Sequence, residues 1–203
     1  MDRNRLQKQI DFILEIDQEK EIYRQTHLSR HGRNENDAEH AWHMAICAYL
    51  LKEYANEAVD IGKVMIMCLI HDVVEIDAGD TYAYDAEGLK TQKEREEKAA
   101  ERIFGLLPDD QRDELRALFE EFEAYETAEA KFAHAMDNFQ PFLLNHSNGG
   151  GDWREHNVSI SQVLRRQTKT DLGSKELCGY VLEKLEEHVK SGDIREDRNK
   201  TAE

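Results

Sequence analysis

An imidazole and a carboxylate stand side by side at His71-Asp72, at the end of the apolar stretch Val64–Ile70, and Glu75 follows one turn later. A further candidate donor, His40, closes the upstream string Asn36-Asp37-Ala38-Glu39-His40. Another, Asp137, lies downstream in Ala133-His134-Ala135-Met136-Asp137-Asn138. Neutral imidazole with carboxylate is a borderline-hard donor set, suited to Mn, Fe, Co, Ni or Zn better than to Ca, with Mg also admitted. Two histidines and two aspartates on three helices, facing one core, would make a divalent metal site. An ion that accepts more than four donors would keep positions for water and substrate.

Those side chains must be brought together by helices. Leu6, Ile10, Ile13 and Leu14 recur at helical spacing and predict a first amphipathic helix to about Tyr23. Arg24–Asn36 reads as a loop. Asp37 suits the N-cap of a second helix to about Tyr54, and Asp60 that of a third through Ile70 to about Val74. His71 and Glu75 then share a face, and the adjacent Asp72 reaches the same ion only where the helix ends or distorts. Ala78-Gly79 is consistent with such an end. Asp80–Leu89 reads as a loop, and Thr91-Gln92-Lys93-Glu94 as a capping box opening a helix to about Phe104. Pro108 suits the first turn of the next, ending near Phe122. A helix from Thr127 or Ala128 carries Phe132, Met136, Phe139 and Leu143 on one face, with Pro141 expected to kink or interrupt it. His146–Asn157 reads as a loop, Val158–Arg166 and Ser174–Lys190 as two final helices, and Ser191–Glu203 as a fraying polar tail. The expectation is an all-α, single-domain helical bundle over residues 1–190, followed by the tail 191–203.

Composition narrows the function. The 203 residues carry 43 acids against 27 bases, a net charge of −16. Such a body repels nucleic acid and anionic membranes. A small anionic substrate remains compatible, provided positive charge is concentrated where it sits. Cys47, Cys68 and Cys178 form neither a disulfide framework nor a zinc ribbon, and Cys47 and Cys68 read as buried thiols. No secretory leader or membrane-length apolar run is recognisable, so a cytoplasmic setting is expected.

Three strings together resemble the HD-domain phosphohydrolases: Glu35-Asn36-Asp37-Ala38-Glu39-His40, the run His71-Asp72-Val73-Val74-Glu75-Ile76-Asp77-Ala78-Gly79-Asp80, and Glu129-Ala130-Lys131-Phe132 leading to Asp137. The resemblance runs from about Arg24 to about Asn145 and is nearest to the compact branch of 5′-nucleotidases and 5′-deoxynucleotidases. It implies the HD-type helical bundle, one divalent metal ion on His40, His71, Asp72 and Asp137, and Glu75 as catalytic acid. It implies a nucleotide-facing loop at Asp80-Thr81-Tyr82-Ala83. It also implies a phosphate-orienting arginine at Arg24, with Arg30 and Arg33 as rivals, and a homodimer. One departure touches sugar selection: in deoxynucleotidases of this branch that arginine precedes a tryptophan, whereas Gln25 follows Arg24 here.

The chemistry so implied is hydrolysis of a phosphate monoester, most simply a nucleoside or deoxynucleoside 5′-monophosphate. Glu75 would exchange a proton with the attacking water or the leaving oxygen, and Asp72 would act through the ion. Asp80 and Thr81 could hydrogen-bond the sugar or the water, and Glu39 could orient a ligand histidine from behind. Two other readings keep the site: hydrolysis of a triphosphate, cyclic nucleotide or alarmone, and a scaffold that holds metal and nucleotide without turnover. His43 and His134 read as satisfied, partly buried histidines or as extra donors. Trp42 and Met44 read as core or interface residues. Gly149-Gly150-Gly151 has neither the preceding strand nor the following Gly-Lys-Ser/Thr of a phosphate cradle.

Overall fold

Asp2 accepts hydrogen bonds from the backbone of Asn4 and Arg5 and so starts α1 (Arg3–Ile16). The computed structural model describes residues 2–30, 32–81 and 87–198. Helix α1 stops earlier than its periodicity predicts and gives way to a 3-10 turn, Asp17–Glu21. The expected loop that follows contains strand β1 (Tyr23–His27), paired antiparallel with β2 (Asn34–Asn36). Tyr23-Arg24-Gln25-Thr26-His27 lacks the Val and Ile that betray strands. Its alternation is of environment: Tyr23 and Gln25 are exposed, Arg24 and Thr26 half-buried. The strand thereby turns Arg24 inward.

Helix α2 (Asp37–Leu51) is capped by Asn36, not by Asp37. Asn36 Oδ1 accepts from Glu39 N at 2.9 Å, and the Glu39 carboxylate accepts from Asn36 N at 3.2 Å. This reciprocal box leaves the Asp37 carboxylate free to face the interior. Asp60 caps α3 (Ile61–Ile70) as expected, accepting from Gly62 and Lys63. Helix α3 ends at Ile70, one residue before His71. A turn over residues 71–74 follows, then the single turn α4 (Glu75–Ala78). Gly79, at φ 74° and ψ 148°, takes a positive-φ conformation open to glycine, and α4 ends there.

Helix α5 (Leu89–Phe104) begins ahead of the expected Thr91 box and has no side-chain cap. Helix α6 (Asp109–Ala124) starts just after Pro108, and α7 (Ala128–Ser147) is capped by Thr127. Helix α7 runs through Pro141 without interruption. The missing N–H removes only the rung that would have ended on the Asp137 carbonyl. The expected glycine loop holds a short helix, α8 (Gly151–Glu155). Helices α9 (Ile160–Gly173) and α10 (Lys175–Ser191) complete the bundle. The segment after α10 does not fray at once: Ile194 is buried, and Arg195 bridges to Ser159.

The main core gathers Met44, Val64, Cys68, Phe132, Met136 and Val181 from α2, α3, α7 and α10. A second cluster, with Phe12, Val73, Ile103, Phe104 and Phe119, packs α1, α5 and α6 under the turn after α3. Met44 is fully buried, but Trp42 is 61% exposed, so only the methionine is a core residue. All three cysteines are buried free thiols. Helices α7 and α9 cross closely at Gly173, where a Cβ would lie 2.1 Å from the Lys131 carbonyl oxygen. Among the described residues no helix is long and apolar enough to cross a membrane.

Candidate metal centre

The break after Ile70 decides the geometry. Because the helix ends there, His71 and Asp72 turn to the same side: His71 Nε2 lies 3.1 Å from Asp72 Oδ1. His71 Nδ1 donates to the Cys68 carbonyl at 2.9 Å, which fixes the tautomer and turns the Nε2 lone pair inward. That Nε2 is buried and has no hydrogen-bond partner. From α2, His40 arrives fully buried, its Nδ1 donating to Gln140 Oε1 at 2.9 Å. Its Nε2 faces Asp137 Oδ1 at 3.3 Å, and the same oxygen lies 3.9 Å from His71 Nε2. Donor atoms of His40, His71 and Asp72 all lie within 4.8 Å of one another. Three of the expected donors thus form one group, and the fourth, Asp137 from α7, approaches both histidines.

These residues fit a divalent ion. Two imidazoles present in-facing nitrogens, one of them orphaned in the interior, and two carboxylates stand close by, so that a bound ion would take the place of the protons these acids favour on the rings. A buried polar atom without a partner is costly, and a cation at this point would satisfy it.

The charges behind the donors are equally constrained. Arg24 Nη1 donates to Asp72 Oδ2 at 2.7 Å and to Asp37 Oδ1 at 3.4 Å. Arg24 Nε stands 3.7 Å from Glu35 Oε1. Arg30 is exposed and Arg33 pairs with Glu39 at the surface, so of the three arginines only Arg24 reaches the centre. Glu39 is therefore committed to its cap and to Arg33 and does not orient a histidine. That place is held by Gln140, whose Nε2 donates to Glu35 Oε2 at 2.9 Å and to His43 Nδ1 at 3.0 Å. His134 faces away: its Nε2 donates to the Phe122 carbonyl at 2.9 Å and its ring stacks on Phe122.

Burial opposes charge on Asp72, but His71 and Arg24 hold its carboxyl below the usual range. Asp137 is likewise held well down, against burial, by the His40 hydrogen bond and Arg166. Burial and Arg24 oppose charge on His40, yet Asp137 and Glu35 outweigh them and push it up to about 9. Burial, and then the charges of Asp72 and Asp37, drive Glu75 well above the ordinary carboxylate range. Asp37 is pushed up to about 7 and Glu19 to about 8, again by burial and then by Asp72. Ionised acids hold the imidazoles, while the surrounding acids favour their protons.

The centre forms one wall of a cavity of about 1080 Å³, also lined by Arg24, Glu75, Asp80, Thr81 and Arg166. Thr81 Oγ1 accepts from Arg95 Nη2 at 2.7 Å, which ties it to α5. The expected substrate residues Tyr82 and Ala83 lie outside the described residues. Sequence reasoning missed the roles of Glu35, Asp37, Gln140, Asn138 and Arg166. Gln140 carried a signal, lying one helical turn beyond Asp137 on the same face. Arg166 carried none.

Comparison with known proteins identifies the family. The family model for the HD domain matches residues 16–177. The chain is 33% identical over 111 residues to the 5′-deoxynucleotidase HDDC2 of Homo sapiens, a match covering 55% of this chain and 53% of that protein. HDDC2 of Xenopus laevis is 34% identical over 123 residues, covering 60% and 57%. The chain thus spans about half the length of the curated relatives it matches. It is also similar to a crystal structure from Magnetospirillum magnetotacticum MS-1, described as a predicted metal-dependent phosphohydrolase. The TM-score is 0.90 and the identity 50%, over 94% of this chain and 96% of that one.

Proposed function

The chain belongs to the HD-domain family, and from that premise we propose that it is a metal-dependent phosphomonoesterase acting on a nucleoside or deoxynucleoside 5′-monophosphate. The observation that carries this reading is the orphaned, in-facing Nε2 of His71, set between Asp72 and Asp137. His40, His71, Asp72 and Asp137 would hold one divalent ion: Mn, Co, Fe, Ni, Zn or Mg. When bound, such an ion supplies the charge that polarises a phosphoryl oxygen and makes an attacking water more acidic.

The chain's own residues supply the rest. Gln140 and the Cys68 carbonyl keep both imidazoles in the tautomer that turns Nε2 toward the ion. Arg24 holds Asp72 in place and borders the cavity, where its charge favours a phosphate. Glu75, on the next turn, faces the same space and is placed to exchange a proton with the water or the leaving oxygen. Asp80 at the cavity wall is placed to accept a hydrogen bond from the sugar, with Thr81 beside it. Names of relatives support the monophosphate assignment, since HDDC2 is named a 5′-deoxynucleotidase.

A homodimer in the cytoplasm completes the reading. Trp42, Ile46, Tyr49 and Leu50 form an exposed apolar stripe at helical spacing on α2. Ile66 and Leu69 are similarly exposed on α3, which packs against α2. Exposed apolar residues on two packed helices suit a second copy of the chain.

The test is a phosphate-release assay on purified protein with Mn or Co and a panel of nucleotides. Release from nucleoside monophosphates supports the proposal. Release only from triphosphates, cyclic nucleotides or alarmones moves the substrate. Metal bound with no release from any nucleotide leaves a non-catalytic scaffold.

A further inference from the structure

In a chain of net charge −16, an arginine turned into an acid-lined cavity needs a reason. Arg166 is such a residue. It sits on α9 and lines the same cavity as Arg24, and its side chain is 25% exposed. Its Nε donates to Asn138 Oδ1 at 2.6 Å. Asn138 is itself buried and anchored, its Nδ2 donating to the His134 carbonyl at 2.9 Å. The guanidinium is thus fixed at one corner by the residue next to Asp137. Its Nη2 stands 3.9 Å from Asp137 Oδ2, too far for a hydrogen bond. Among the described residues neither terminal nitrogen of Arg166 makes a hydrogen bond. Arg24 is more committed: its Nη1 is already spent on Asp72 and Asp37, which leaves Nη2 for an outside anion.

We propose that Arg166, held by Asn138, is a second guanidinium that grips the substrate phosphate in a forked contact, in addition to Arg24. This rests on the phosphomonoesterase reading and adds a residue that determines phosphate affinity. Two uncommitted N–H-bearing nitrogens beside the candidate metal donors match two of the three non-bridging oxygens of a phosphate monoester. An Arg–Asp pair serving only structure would be expected to close to hydrogen-bond distance, whereas Asn138 holds this one apart. Arg165 and Lys169 line the same wall and add less directed positive charge.

The test compares wild type with Arg166→Gln and Arg166→Lys, each loaded with Mn and checked for metal content and helicity. Calorimetric titration with inorganic phosphate reads the inference without turnover. Both variants are expected to bind phosphate more weakly by about tenfold or more, because a charge-assisted fork is lost. Where turnover is measurable, KM for a nucleoside monophosphate should rise more than kcat falls, while inhibition by the free nucleoside stays unchanged. Added guanidinium should restore part of the activity of Arg166→Ala. Phosphate affinity unchanged in Arg166→Gln, or no phosphate bound by wild type, overturns the inference. Phosphate binding lost in the variants, with no hydrolysis of any nucleotide by wild type, would instead sustain the inference and remove the phosphomonoesterase reading.

Discussion

His71 and Asp72 are consecutive in the chain, yet their side chains meet, with His71 Nε2 3.1 Å from Asp72 Oδ1. Within a regular helix, adjacent side chains diverge by about 100°. The meeting depends on α3 ending at Ile70 and on the turn that leads into α4. The functional proposals rest on this local break.

Asp72 and Glu75 should separate by experiment. Asp72→Ala removes a donor and is expected to lose metal and activity together. Glu75→Ala is expected to keep its metal and lose turnover by about 100-fold or more, the usual scale of a proton-transfer group. Elemental analysis alongside a rate assay distinguishes them, and a full rate in Glu75→Ala would refute the acid–base assignment.

Gln140 links His40, Glu35 and His43. Gln140→Leu leaves His40 Nδ1 without its acceptor and frees the ring to turn. Metal affinity should fall by about 10–100-fold, the scale found for groups behind metal-binding histidines. Competition with a fluorescent chelator measures it, and an unchanged affinity would show that Gln140 does not position His40.

Arg24 is surrounded by Glu35, Asp37 and Asp72, all buried. Arg24→Ala would leave buried carboxylates unopposed and should destabilise the metal-free fold by about 3–5 kcal/mol. Denaturant melts in the presence of a chelator read this directly. Adding Mn should restore part of the loss, because an ion at the centre replaces some of the missing charge.

His134 predicts a pH dependence of stability. Burial depresses it from 6.5 to about 4, so the folded protein holds it neutral. Between those values the unfolded chain binds the proton and the folded chain does not. Stability therefore falls as pH drops from 6.5 to 4, by on the order of 3 kcal/mol from this group. The stability difference between wild type and His134→Gln should change by that amount across the window. A constant difference would show that His134 titrates normally in the fold.

Much of the centre was legible in the sequence because its donors sit on helices with clear signals. The cap at Asp60, the apolar run into His71 and the Phe132–Met136 periodicity put His71, Asp72 and Asp137 on core-facing segments. Arg24 was legible only through family resemblance, since the strand that turns it inward has no β-branched pattern beyond Thr26. The Asn36 cap was displaced by one residue because Asn and Asp cap comparably well. Only the fold shows that Asp37 is needed facing Arg24. Pro141 misled because the cost of a lost rung is local, and α7 is held on both sides of it by core packing. Gln140 and Arg166 act through contacts with residues about 100 and 28 positions away, and no local pattern records such meetings.

Metal stoichiometry tests the central claim most directly. Elemental analysis of the protein after loading with Mn and removal of free ion should give one ion per chain. The value should fall toward zero in His40→Ala, His71→Ala, Asp72→Ala and Asp137→Ala alike, with helicity retained. No bound ion in wild type, or an ion retained when these side chains are removed, would contradict a shared site built from the four.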